Sequence, residues 1–153
     1  MKVTQKNLYS AEQVRDLDRI AIEEYGIPGY SLMKRAGQVI FDFLSREYAD
    51  YSKIYVFTGI GNNGGDGYVV AKLAILGGFD VEVVQIKPKN ILSGDSLQAQ
   101  EDFKKIKGKI NNLDEMQEAE NSLIVDALLG TGITRSVEGE FEQAIKKINS
   151  SKS

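Results

Sequence analysis

A glycine-rich stretch, residues 59–67, carries the side chains best suited to chemistry. Its polar members are Asn62, Asn63 and Asp66. Amide and carboxylate oxygens bind hard cations and hydrogen-bond to hydroxyl groups, and glycines let the backbone approach a ligand closely. The stretch therefore predicts a site for a hydroxyl-rich ligand or a hard cation, in a loop between a strand and a helix.

The same stretch has two other interpretations. The spacing G-x-G-x-x-G from Gly59 matches a dinucleotide-binding fingerprint. That fingerprint also needs an acidic residue at the end of the second strand, where this sequence has Gln85, and Asp66 would compete with a phosphate for the positive end of the helix. Alternatively, the glycines serve only as turn residues that adopt positive φ.

A second candidate stretch follows an apolar strand and contains Asp126, Gly130 and Thr131. Asp126 is either a ligand for an ion or substrate, or a buried cap for a neighbouring backbone amide. Arg135 is either a bidentate phosphate ligand or a solvated surface arginine. Residue types alone leave both pairs of alternatives open.

Missing residue types narrow the chemistry further. The 153 residues include no Cys, His or Trp, which excludes disulfides, zinc-thiolate sites and a Ser-His-Asp triad within this sequence. Acid–base catalysis must therefore use carboxylates, Lys or Tyr.

The net charge is −3 and the basic residues are scattered, so we expect no nucleic-acid partner. No apolar run approaches the roughly 18 residues of a membrane span, so we expect no membrane partner and a cytoplasmic protein.

Two helices are predicted before the first strand. Ser10 and Gln13 have the spacing of a capping box, and Gly26 ends the first helix. The second helix is predicted to open at Ser31. Its predicted apolar stripe comprises Leu32, Ala36, Val39, Ile40, Phe43 and Leu44.

Strands then alternate with helices. Predicted strands cover residues 54–58, 81–86, 109–110 and 123–127, and helices are predicted from Tyr68, around residues 97–106 and around residues 141–148. Strands that are apolar on both faces indicate a mainly parallel sheet with helices on each side. We predict an α/β fold, a Rossmann-like three-layer αβα sandwich, with its ligand beyond the carboxyl ends of the strands. Residues 149–153 stand where another strand is expected, so we expect the domain to be truncated at its C-terminus.

Residues 59–71, followed by residues 125–132, resemble the YjeF amino-terminal domain family, the NAD(P)H-hydrate epimerases. Residues 33–37 fit the same family, so the resemblance covers residues 1–153 as one domain. It implies a Rossmann-like, usually dimeric protein that interconverts the R and S forms of hydrated NADH and NADPH. This reaction repairs damaged cofactor.

The resemblance also implies roles for individual residues. Asn63 and Asp126 would bind a potassium ion. The family's catalytic aspartate belongs to an Asp-x-Pro-Ser-Gly block that this sequence lacks, so we expect it beyond Ser153 and assign no catalytic residue. Residues expected to contact the hydrated dinucleotide are Asn62, Asn63, Gly64, Gly65, Asp66, Gly130, Thr131, Gly132, Ile133, Thr134, Arg135 and Ser136.

The implied partners are the hydrated cofactor, a second copy of the chain, and a dehydratase for the S form that is fused to this domain or separate. Two alternative functions remain at this stage. One is a non-catalytic nucleotide-binding or scaffold module of the same fold. The other is a classical dehydrogenase, which the missing acid after the second strand disfavours.

Overall fold

The computed structural model describes residues 8–86, 92–134 and 136–151. A short 3₁₀ turn at Leu113–Glu115 accompanies the regular elements. These elements, in chain order, are α1 Ala11–Glu23, α2 Gly29–Glu47, β1 Lys53–Thr58, α3 Asn62–Leu76, β2 Asp80–Gln85, α4 Gly94–Lys105, β3 Lys109–Asn111, β4 Ser122–Ala127 and α5 Glu140–Ser150.

The strands form one parallel sheet in the order β3-β2-β1-β4. All four predicted strands are present, and the predicted α/β class is confirmed. The chain runs outward from β1 through β2 to β3 and then returns to place β4 on the other side of β1. Strand order therefore reverses between β1 and β4, and a crevice forms beyond their carboxyl ends.

Side chains of β1 alternate between two hydrophobic cores. Ile54 and Val56 pack beneath α2, α3 and α4, whereas Tyr55 and Phe57 pack with Ala144 of α5. All four of these β1 side chains are buried. Burial on both faces explains why the strand is a continuous apolar run, and it confirms the three-layer arrangement.

The helices before the sheet confirm one prediction and correct two. The capping box is present: the Gln13 amide donates to Ser10 Oγ at 3.2 Å, and the Ser10 amide donates to Gln13 Oε1 at 2.8 Å. The predicted start of α2 at Ser31 is wrong, because the helix begins at Gly29.

Within the described parts of the chain, no helix combines the length and apolarity needed to cross a membrane.

The predicted apolar stripe of α2 is also wrong in part. Leu44 is buried, but Val39, Ile40 and Phe43 are exposed. The face of α2 that reaches the core instead carries Met33 and Gly37. Helical periodicity allows either face to be buried, and close packing of α2 against α3 at Gly37 selects the second.

Residues 59–67 do not form one loop. Helix α3 begins at Asn62, so only residues 59–61 connect it to β1. Two glycines in its first turns are required by close packing: a Cβ on Gly64 would collide with the carbonyl oxygen of Gly59, and a Cβ on Gly67 would lie 2.6 Å from the Cβ of Ala127. The positive-φ glycines of the described chain all lie outside residues 59–67, so the interpretation as turn residues with positive φ is wrong.

Candidate functional site

A cavity of about 770 Å³ opens beyond the carboxyl ends of β1 and β4. Three segments line it: α1 with Tyr9, the start of α3 with the loop before it, and the loop after β4. The cavity therefore lies at the reversal of strand order, as the sequence predicts. The predicted site residues that line it are Asn62, Asn63, Asp66, Gly130, Thr131, Gly132, Ile133 and Thr134.

The other predicted substrate contacts lie elsewhere. Gly64 and Gly65 are buried behind the cavity wall, where Gly64 packs against Gly59 and Gly65 against Met33. Ser136 is exposed and does not line the cavity. Arg135 falls outside the described residues, so both of its interpretations stay predictions.

The start of α3 presents polar groups to the cavity. Ser96 of α4 is buried, and its hydroxyl donates to the Gly61 carbonyl at 3.0 Å, which fixes the turn into the helix. Gly61 supplies no side-chain cap. The first amides of α3 are then available to a ligand, at the positive end of the helix dipole.

Asp66 adds a carboxyl group whose proton affinity is unusual. Burial, together with the smaller effect of the negative charge of Asp18 on α1, raises the pKa of Asp66 to about 6. Both carboxyls line the cavity. A carboxyl with a pKa near neutrality can donate a hydrogen bond as the acid and accept one as the carboxylate.

Asp126 does not line the cavity. It pairs with Phe57 in the sheet register, so its side chain extends toward the α5 face, and it is exposed. Its Oδ1 accepts a hydrogen bond from the Leu128 amide at 2.9 Å. Asp126 therefore caps a neighbouring amide, as one interpretation predicts, but it does so as an exposed residue and not as a buried one. Its role as an ion or substrate ligand stays a prediction.

The two predicted potassium ligands, Asn63 and Asp126, both carry side-chain oxygen atoms. No group of three or more Asp and Glu side chains that could hold a metal occurs in the described segments. Asn63 stands beside the loop after β4, since a Cβ on Gly130 would lie 3.4 Å from its Cβ. The amide oxygen of Asn63 and the carboxylate of Asp126 are both hard oxygen donors.

Helix α1 contributes a wall that sequence reasoning missed. Val14, Arg15 and Asp18 line the cavity, and Arg15 Nη1 lies 3.5 Å from Thr131 Oγ1 in the loop after β4. The one signal in the sequence is the spacing of Arg15 and Asp18, three residues apart and so on one helix face. That spacing does not reveal that α1 lies against this cavity.

Comparison with known proteins identifies a matching family and similar relatives. Residues 29–153 match the family model described as YjeF-related protein N-terminus. The chain is 37% identical over 142 residues to the bifunctional NAD(P)H-hydrate repair enzyme Nnr of Coxiella burnetii, an alignment that covers 93% of this chain and 29% of that protein. It is 35% identical over 145 residues to the NAD(P)H-hydrate epimerase of Lentilactobacillus buchneri, with 93% and 66% covered. The chain thus spans under a third of the first relative and about two thirds of the second.

A solved structure matches the fold. The crystal structure of yeast ynu0 superposes with a TM-score of 0.80 and 23% sequence identity, covering 94% of this chain and 65% of that one. At this identity the likeness establishes the fold alone.

Proposed function

Since the chain belongs to the family of YjeF-related protein N-terminal domains, we propose that its cavity binds hydrated NADH or NADPH for epimerisation between the R and S forms. One observation carries the proposal. The start of α3 and the loop after β4, about sixty residues apart in the sequence, meet around one cavity at the reversal of strand order. A volume of about 770 Å³ suits a ligand of this size, since small-molecule pockets span roughly 300–1,000 Å³.

The cavity offers groups that match the parts of such a ligand. The amide side chains of Asn62 and Asn63 both donate and accept hydrogen bonds, which suits ribose hydroxyls and a carboxamide. The first amides of α3, and the backbone at Gly130 and Gly132 where no side chain blocks a close approach, suit phosphate oxygens. These pairings make the cavity a dinucleotide site without the acidic residue of the dehydrogenase fingerprint.

Epimerisation breaks and re-forms the bond between the hydrated ring carbon and its hydroxyl oxygen, so a proton must reach the departing hydroxyl. The resemblance assigns this step to the aspartate of an Asp-x-Pro-Ser-Gly block, which residues 1–153 lack. Asp66 serves as a binding residue in this proposal. With a pKa of about 6 it can donate a hydrogen bond to a substrate oxygen when protonated and accept one when ionised.

A potassium ion, in this proposal, is held by the Asn63 side-chain oxygen and by the Asp126 carboxylate. The support is the hard character of both donors, the exposure of Asp126 and the position of Asn63 beside Gly130. A bound cation would supply positive charge that offsets the negative charge of the substrate phosphates.

The proposal extends to a homodimer and to a dehydratase, fused or separate, that consumes the S form. Support for the homodimer is the apolar surface that α2 leaves uncovered, formed by Val39, Ile40 and Phe43. The bifunctional name of the Coxiella burnetii relative supports a fused second activity in some members of the family.

A direct assay tests the proposed reaction. Pure R-form hydrated NADH is mixed with the chain in potassium buffer, and appearance of the S form is followed by chromatography. Because residues 1–153 bind the substrate but lack the aspartate that the resemblance assigns to the proton step, we expect only a small excess over the spontaneous rate. This excess should be lost in Asn63→Ala and retained in Asn149→Ala, which alters an exposed residue of α5 outside the cavity.

The same assay distinguishes the proposed epimerase from the alternative function, a non-catalytic binding module. Binding of the hydrated cofactor with no S form above the spontaneous rate would leave the non-catalytic binding module as the function of this chain. Absence of both binding and turnover would exclude both functions.

A further inference from the structure

Helix α1 borders the cavity, yet it is joined to the domain only loosely. None of its residues is buried, and it lies outside residues 29–153 that match the family model. It still places Arg15 and Asp18 on the cavity lining. Because α1 contributes little to the core, its two charged side chains at the cavity need an explanation other than core packing.

Charge balance singles out Arg15. Among the described residues that line the cavity, Arg15 is the one cationic side chain, and the same lining carries two carboxyl groups, Asp18 and Asp66. A dinucleotide adds a diphosphate with about two negative charges. Asn62 and Asn63 are neutral, and the start of α3 contributes only about half a positive charge. Arg15 therefore adds positive charge on the α1 side of the cavity, besides that of the proposed potassium ion.

The ion pairs on α1 show which of its arginines is available. Arg19, one turn further along, is engaged by Asp16 and by Glu23, the latter at 3.2 Å. Arg15 takes part in none of the ion pairs of the described chain. Its Nη1 lies 3.5 Å from Thr131 Oγ1, a weak contact that an anionic group can replace or join.

We propose that Arg15 binds a phosphate group of the hydrated dinucleotide and so makes α1 part of the substrate site. This inference rests on the proposed function. The planar guanidinium presents paired N–H donors that match two phosphate oxygens, a geometry that a lysine ammonium does not reproduce. The loop after β4 then holds the phosphate from one side and Arg15 holds it from α1.

Calorimetric titration tests the proposal with two stable probes, ADP-ribose and ADP-ribose 2′-phosphate. Arg15→Gln removes the cation, and Arg19→Gln is the matched control, because it makes the same change on the same helix outside the cavity lining. We expect Arg15→Gln to weaken binding about tenfold or more and Arg19→Gln to change it less than about twofold. Arg15→Lys should recover only part of the loss.

The two probes identify the phosphate concerned. An equal loss for both assigns Arg15 to the diphosphate, whereas a loss confined to the second assigns it to the 2′-phosphate. Added salt should weaken binding less steeply in Arg15→Gln than in the unsubstituted chain, because one ion contact is gone. A purely structural role for Arg15 would instead lower the melting temperature of the ligand-free protein and leave the salt dependence unchanged.

The outcomes distinguish this inference from the function on which it rests. Unchanged affinity of Arg15→Gln for both probes overturns the role of Arg15 and leaves the proposed function standing. If the unsubstituted chain binds neither probe, the dinucleotide site and the role of Arg15 both fail.

Discussion

Asp18 on α1 and Asp66 on α3 line the same cavity, and the charge of Asp18 adds to burial in raising the pKa of Asp66 to about 6. The two carboxyls come from helices that are separated in sequence by α2 and β1. An ordinary carboxyl group on α3 is thereby converted into one that exchanges its proton near neutral pH. This relationship makes the stability of the domain depend on pH.

Asp66→Asn should make the domain more stable at pH 7 and flatten its stability between pH 4 and 6. The folded pKa of Asp66 lies above its unfolded value of 3.8, so the folded state binds more protons in that interval and stability falls as pH rises through it. The full difference corresponds to about 3 kcal/mol, and partial contact with water reduces our expectation to about 1–2 kcal/mol. Urea unfolding at several pH values measures it.

Asp18→Asn is the matched comparison for that experiment. It removes the smaller of the two causes of the raised pKa of Asp66, so its effect on stability should be weaker and of the same sign. Equal pH profiles for the unsubstituted chain and Asp66→Asn would show that the proton affinity of Asp66 is ordinary.

Asp126→Asn should weaken stabilisation of the domain by potassium. A ligand that binds only the folded state raises its melting temperature, and loss of the carboxylate charge lowers the affinity for the ion. Asn can still accept the Leu128 amide hydrogen bond through its oxygen, so the fold is preserved. Melting temperatures in potassium chloride and in choline chloride provide the measurement.

Asp42→Asn, which alters an exposed residue on α2, is the control for the potassium titration. A potassium-dependent shift that is the same in Asp126→Asn and in the unsubstituted chain would remove Asp126 from the ion site.

Gly67→Ala should destabilise the domain by about 1–3 kcal/mol, the usual cost of overpacking a close contact. The added Cβ would lie 2.6 Å from the Cβ of Ala127 and 3.1 Å from Thr58 Cγ2, so α3 would have to move away from the sheet. Urea unfolding provides the free energy of unfolding.

Gly132→Ala is the control for that substitution. A Cβ there meets no atom within 4 Å, and we expect a change of only a few tenths of a kcal/mol. Equal stability of the two variants would contradict the packing explanation for the glycines of α3.

Val39→Glu should convert a homodimer into a monomer. Val39 is 69% exposed on α2, and a carboxylate buried in an apolar interface without a partner is strongly unfavourable. Light scattering coupled to gel filtration measures the mass. Leu76→Glu is the control, since Leu76 is 65% exposed at the end of α3. A monomeric unsubstituted chain, or a dimeric Val39→Glu variant, would exclude this interface.

Much of the fold could be predicted because local patterns carry it. The apolar run of β1 is buried and that of β4 is partly buried. The spacing of Ser10 and Gln13 forms its capping box, and the apolar residues of α5 recur at helical intervals. The position of the cavity could also be predicted from the sequence, since parallel strands end at one edge of the sheet and the polar stretches come directly after two of them.

Other features depend on contacts between distant parts of the chain. Glycine content predicts a loop over residues 59–67, but the packing of α3 against Gly59 and Ala127 makes most of that stretch helical. Both faces of α2 are apolar enough to be buried, and contact with α3 selects the one that carries Met33 and Gly37. Sheet register likewise directs the side chain of Asp126 to the face opposite α3.

The sequence by itself therefore determined the elements, their order and two of the three walls of the cavity, because hydrophobic periodicity and capping act over a few residues. Only the tertiary structure decided that α1 supplies the third wall, that Asp18 lies near enough to raise the pKa of Asp66, and that Arg15 reaches the loop after β4. Those relationships arise from the docking of one helix against distant loops, and no local pattern specifies where a helix docks.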